Sequence, residues 1–364
     1  MSDPSVWKDD LLGEGFEATE LTLAPDSEGD VCATLVRYRR RPVAQEEGRR
    51  PWWSPRRWFP RVLALPRLPA LPFLRPLPRS TQRRPAFDVL YVHGWSDYFF
   101  QRQLAKYWTA RGAEFYALDL RKYGRSLRPH QTPGYVDSLE TYDEDIAAAL
   151  AVMRAQTRRP LILMGHSTGG LTLSLWAARN PGEAVGLVLN SPWLEFQMGM
   201  AARALLEPMV DLGKHMLPLS QYPQFDLGFY SRATSDAFDG TWDIDTRWKP
   251  ERGFRGTRGW LSAIFHGQAT VSEGLGIATP VLVLLSQRSV LQVKWTPDMS
   301  HADTVLDVEA VAQRAVDLGS DVTIRRFDGA LHDVVLSERG VRRQVWRAID
   351  AWLPRATQGT PQPE

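Results

Sequence analysis

A serine hydroxyl is a useful nucleophile only when a base takes its proton and the backbone leaves its oxygen open to a substrate. Gly165-His166-Ser167-Thr168-Gly169 offers such a serine: the five residues fit G-x-S-x-G, with Gly170 next, between the apolar run LILM and the helical run LTLSLWAARN. A strand, a sharp turn and a helix with small residues beside the serine is what a nucleophile elbow requires, because the strained turn has no room for neighbouring side chains. The bland alternative is a glycine-rich strand-to-helix turn carrying an idle serine. It loses ground only if a base and an acid stand further along the chain.

His332, in FDGALHDVVLS just after the strand VTIRRF, is the base that the last loop of a parallel sheet would deliver over Ser167. His166 lies inside the elbow and His93 precedes a helix, while His130, His215, His266 and His301 fall in loops or in an irregular segment, so these six read as structural or exposed. The carboxylate that holds the imidazole tautomer is expected after VLVLLS, yet Gln287, Arg288, Ser289 and Val290 supply no acid there. Asp298, Asp303 and Asp307 remain. Asp303 is favoured because it ends a loop just before a helix, where Asp307 reads as a first-turn charge and Asp298 as a loop charge. For the oxyanion, His93-Gly94-Trp95-Ser96 follows the strand FDVLYV, so the N–H of Trp95 and that of Thr168 are the expected donors.

These residues need a scaffold that brings loop ends together. FDVLYV, AEFYALDL, LILMG, AVGLVLNS, VLVLLS and VTIRRF alternate with longer helical stretches, which is the pattern of a parallel sheet built from βαβ units. The expected fold is α/β, a mostly parallel central sheet flanked by helices with an inserted cap. Residues 1–36 supply opening strands, 37–85 a basic insertion, 86–192 and 279–354 the core, 193–278 the cap or lid, and 355–364 a disordered tail.

Bulk properties narrow the rest. A single cysteine, Cys32, excludes an internal disulfide framework and a cysteine-based zinc cluster, and no cofactor or metal is expected. The start of the chain does not read as a secretory signal, and no run of about 18 apolar residues occurs, so a cytoplasmic location is expected. Between Arg37 and Arg84 stand 14 arginines against Glu46 and Glu47, a surplus of 12 positive charges in a chain whose net charge is +2. Prolines every few residues forbid a continuous helix there. Arginines beside Trp52, Trp53, Trp58 and Phe59 suit a peripheral contact of residues 42–84 with anionic lipid, against a plain solvated insertion; no specific nucleic-acid partner is expected. In the irregular segment, Trp193, Leu194, Phe196, Met198, Met200 and Met209, with Trp95, Tyr98, Phe99 and Phe100, either line an apolar acyl slot or are core.

VLYVHGWSDYFF, YALDLRKYGRS, LMGHSTGG and GALHDVV resemble motifs of the monoacylglycerol lipase and lysophospholipase branch of the α/β hydrolases, over most of Asp88 to Trp352 apart from the cap. The resemblance implies Ser167 as nucleophile, His332 as base, Trp95 and Thr168 as oxyanion donors, and an acid in Ala302-Asp303-Thr304-Val305-Leu306-Asp307, again pointing to Asp303. The chain departs from the family where Lys122-Tyr123-Gly124 stands in place of a common Gly-His-Gly, in the longer loop before the acid, and in the basic insertion. The implied activity is hydrolysis of small acyl esters of the monoacylglycerol or lysophospholipid kind. A thioesterase, acyltransferase or peptidase with the same three residues is the alternative, and a non-catalytic binding protein of this fold is a third reading.

Overall fold

The computed structural model describes residues 6–39, 85–155, 158–196, 217–224 and 226–357. The basic block and the tail expectation therefore fall outside the described residues, apart from 37–39 and 85 of the one and 355–357 of the other. Nine strands appear among the described residues: β1 (Lys8–Asp9), β2 (Phe16–Thr22), β3 (Cys32–Tyr38), β4 (Phe87–Val92), β5 (Ala113–Asp119), β6 (Leu161–His166), β7 (Gly186–Asn190), β8 (Val281–Ser286) and β9 (Val322–Phe327). They form one sheet in the order β1-β2-β3-β5-β4-β6-β7-β8-β9. The opening hairpin is antiparallel, with Phe16 opposite Tyr38 and Thr22 opposite Cys32, and every pairing from β5 to β9 is parallel.

β4, β6, β7 and β8 are buried at every position, which explains why they read as unbroken apolar runs: a parallel sheet is covered on both faces. Successive residues then enter opposite layers. Leu90 and Val92 pack with α2 (Tyr142–Arg154) and α3 (Thr168–Arg179), through Ile146 and Leu171. Val89 and Tyr91 pack with α1 (Arg102–Thr109) and the last helix (Arg339–Thr357), through Trp108, Ile349 and Trp352. Truncating the fully buried Ile349 to alanine is expected to cost about 2–5 kcal/mol.

β4 lies between β5 and β6, so the crossovers diverge there and leave a crevice at the carboxyl ends of β4 and β6. Both the HGW loop and the Ser167 turn start at those ends. Between β7 and β8 the chain makes its long excursion, including α4 (Phe229–Thr234) and α5 (Arg258–Ser272). Within the stretch expected as a cap, α5 is a core-layer helix: Ala263, Ile264 and Val271 join the main core, and a Cβ on Gly267 would lie 2.8 Å from Leu139 and 3.0 Å from Leu175. Met198, Met200 and Met209 lie outside the described residues. Among the described residues two α-helices follow β8, α6 (Val308–Ala315) and the last helix, α7.

Candidate active site

Ser167 has φ 52° and ψ −118°, a region that a side chain occupies only under strain. Backbone bonds hold it there. Its N–H donates to Asn190 O at the end of β7 (3.0 Å), and its carbonyl accepts from Gly170, Leu171 and Trp193. The flanking glycines are a packing requirement: a Cβ on Gly169 would lie 2.2 Å from His93 O, and one on Gly165 2.6 Å from Gly169 O.

His332 is buried, with Nδ1 2.9 Å from Asp303 Oδ2. The other carboxylate oxygen of Asp303 accepts from Val305 N and Leu306 N, each at 2.8 Å. The missing acid after β8 is explained by the path of the chain. It leaves the strand, makes a 3₁₀ turn at Pro297–His301 and returns so that Asp303 forms a parallel bridge with Ser289. Val290 N donates to Asp303 O and Asp303 N to Arg288 O, so the acid stands beside the end of β8 although it is far along the sequence. Asp307 is spent elsewhere, accepting from Glu309 N and Ala310 N as the cap of α6. Asp298 is exposed and 3.5 Å from Arg288.

The next residue, Asp333, is a further buried acid that sequence reasoning did not single out. Its Oδ1 accepts from Asn190 Nδ2 (2.6 Å) and Val335 N (3.0 Å), and its Oδ2 from Gln101 Nε2 (3.2 Å). Asn190 also accepts from Val334 N, so the loop that carries His332 is tied to the strand that holds Ser167. An acid adjacent to a candidate base was the signal available.

On the opposite side, a Cβ on Gly94 would lie 3.0 Å from Ser167 Cβ, so the loop carrying Trp95 reaches the elbow, where Thr168 opens α3. His93 is used structurally. Its Nδ1–H donates to Gly94 O, its Nε2 accepts from Leu120 N, and burial lowers its pKa, which keeps the ring neutral. Phe99 is core, packed on Tyr91 and Phe115. Trp95 instead stacks 3.7 Å from Trp260, with Phe254 and Tyr123 at its edges, and Trp193 lies 5.9 Å beyond on the same ring. Lys122, the departure from Gly-His-Gly, is fully buried and pairs with Asp26 and Glu28, each at 2.6 Å, in the β2–β3 connection.

Asp97 is also fully buried, with Lys249 Nζ 2.9 Å from Oδ1 and His166 Nδ1 3.6 Å from Oδ2. Burial pushes this carboxyl up, but the Lys249 charge, then His166 and His93, overcome that and hold it well below the usual range. The His166 ring lies 5.0 Å from that of His332. The Tyr230 ring meets His332 edge-on at 5.3 Å.

A strained serine on a strand-to-helix turn, a buried imidazole oriented by a carboxylate and backbone N–H groups at a helix start are the parts of nucleophilic acyl transfer. Residues 83–339 match the pattern of the serine aminopeptidase S33 family of hydrolases. The chain belongs to that family. It is 30% identical over 118 residues to phospholipase YtpA of Bacillus subtilis and 30% identical over 121 residues to a monoacylglycerol lipase of Mycolicibacterium smegmatis. Each match covers 32% of this chain, and 44% and 41% of the respective relatives, so the chain spans less than half of their length. The crystal structure of the monoacylglycerol lipase of Paleococcus ferrophilus superposes with a TM-score of 0.59 at 20% identity, over 75% of this chain and 96% of that one. The family member thus has the expected α/β-hydrolase fold. No helix among the described residues is long and apolar enough to cross a membrane.

Proposed function

We propose that the protein is a serine hydrolase that cleaves carboxylic esters through an acyl-Ser167 intermediate, on monoacylglycerol-like or lysophospholipid-like substrates. The observation that carries this is the buried His332–Asp303 pair at 2.9 Å, delivered by the last sheet loop to the side of the elbow. With Nδ1 occupied by Asp303, Nε2 is the nitrogen left to take the Ser167 proton as Oγ attacks the ester carbonyl. The imidazolium formed is stabilised by the Asp303 carboxylate. The N–H groups of Trp95 and Thr168 are the donors for the oxyanion. Collapse breaks the ester C–O bond, and the proton held by His332 goes to the leaving alkoxide, which departs as the alcohol. Water, deprotonated by the same imidazole, then attacks the acyl-serine; the C–Oγ bond breaks, the imidazolium returns the proton to Ser167 Oγ, and the acid is released.

The Trp95, Trp193, Trp260 and Phe254 surfaces support an apolar acyl chain as the occupant. The described residues of 193–278 outside α5 are the cover in this reading. The relatives named a phospholipase and a monoacylglycerol lipase support the substrate class. A cytoplasmic protein held at an anionic membrane by residues 42–84 completes it. Liposome co-sedimentation that is equal with and without those residues removes the membrane contact.

The test is hydrolysis of p-nitrophenyl esters of increasing acyl length, with a thioester and an aminoacyl amide in parallel. Activity that rises with chain length and vanishes in Ser167→Ala supports the proposal. Turnover of the thioester or amide alone moves the function to a thioesterase or peptidase, and no Ser167-dependent labelling by a fluorophosphonate moves it to binding.

A further inference from the structure

Three successive residues of the loop after β4 are each gripped by the excursion between β7 and β8. Phe254 N donates to Ser96 Oγ (2.9 Å), Lys249 Nζ pairs with Asp97 (2.9 Å), and Asp245 N donates to Tyr98 OH (2.8 Å). Ser96 itself has φ 50°, a strained conformation that requires outside support. Of the three grips only the middle one is ionic, and Lys249 is 5% exposed.

We propose that Lys249 is a positioning residue for acyl transfer: its ammonium neutralises buried Asp97 and fixes the loop that carries the Trp95 N–H beside Ser167. The proposal rests on the serine-hydrolase reading above. A buried carboxylate without a cation is strongly destabilising, so the loop would move to reach water or a proton. A bare negative charge two residues from an oxyanion donor would also oppose the charge that develops on the substrate oxygen, and this opposition is large where water is excluded. Lys249 removes both effects, since the pair is neutral as a whole. The same ammonium lies 4.8 Å from the Tyr230 ring, whose edge contact with His332 brings the base to the other end of the chain of contacts. Asp97 in turn faces His166, the chain neighbour of Ser167.

The experiment uses the full chain, with p-nitrophenyl butyrate for steady-state rates and a fluorophosphonate to titrate Ser167. Lys249→Met is expected to lower kcat about 100-fold while KM stays within about threefold. Lys249→Met/Asp97→Asn leaves no buried unpaired charge and is expected to regain about tenfold of that loss. Should the single variant fail to fold, the double variant carries the test, with kcat about tenfold below wild type at unchanged KM. Wild-type kcat in the folded variants overturns the proposal, as does a loss carried by KM alone, which would make the segment a wall of the substrate site. Wild-type enzyme that is not labelled at all defeats the serine-hydrolase reading instead.

Discussion

On one side of Ser167, His332 and Asp303, the proposed base and its carboxylate, ride on loops that extend β9 and β8. Main-chain bonds fix Asp303, with Val290 N on Asp303 O and Asp303 N on Arg288 O beside the end of β8, and the Asn190 side chain at the end of β7 ties down the His332 loop through Val334 N and Asp333. On the other side the loop from Gly94 to Phe100 leaves the sheet. It is held through side chains: Ser96, Asp97 and Tyr98 against the β7–β8 excursion, and Asp119, which accepts from Phe99 N. Main-chain bonds tolerate most substitutions, whereas side-chain grips depend on particular residues. The position of Asp303 is therefore expected to persist wherever the sheet folds, and that of the loop from Gly94 to Phe100 to vary with the inserted segment.

Ser167→Ala, which sits where the sides meet, should lower kcat for an ester by about 10⁵-fold or more, read in steady-state assays that leave the fold intact by circular dichroism. Asp303→Asn, on the main-chain side, is expected to cost about 10³- to 10⁴-fold in kcat, because an amide no longer holds the imidazole tautomer; a loss below tenfold would remove Asp303 from the proposed triad. Asp333→Asn replaces one accepting oxygen with an N–H donor that faces the donors of Asn190 and Val335 or that of Gln101, and should cost about 1–3 kcal/mol of stability by denaturant unfolding, with a smaller loss of kcat than Asp303→Asn. On the side-chain-held side, Ser96→Ala leaves the Phe254 N–H without its acceptor and should lower kcat about tenfold at unchanged KM. The smallest effect belongs to Asp307→Ala: about 1 kcal/mol of stability lost with the α6 cap, and rates like those of wild type. A steep fall in rate there would contradict the division between the two aspartates.

The two sides also differ in how far they could be read from residues alone. G-x-S-x-G between an apolar strand and a helix carries its own geometry, because the steric demands at Gly165 and Gly169 are local to the turn. The parallel sheet follows from alternation, and the buried strands follow from unbroken apolar runs. The acid was harder, since nothing in the chemistry of Gln287 to Val290 reveals a chain that departs, turns at Pro297–His301 and comes back to Ser289. Asp333 looked ordinary because its partners, Asn190 and Gln101, lie 143 and 232 residues away.

By itself the sequence determined the α/β alternation, the strand-to-helix turn at Ser167, and His332 as the late histidine in the loop after β9. Each depends on periodicity or on contacts between near neighbours. Only the tertiary structure decided that Asp303 meets His332, that α5 belongs to the core layer, and that Lys249 is sealed against Asp97. Those pairings join residues tens to hundreds of positions apart, and whether a charge is solvated or buried beside a counter-ion is set by the packing of the whole fold.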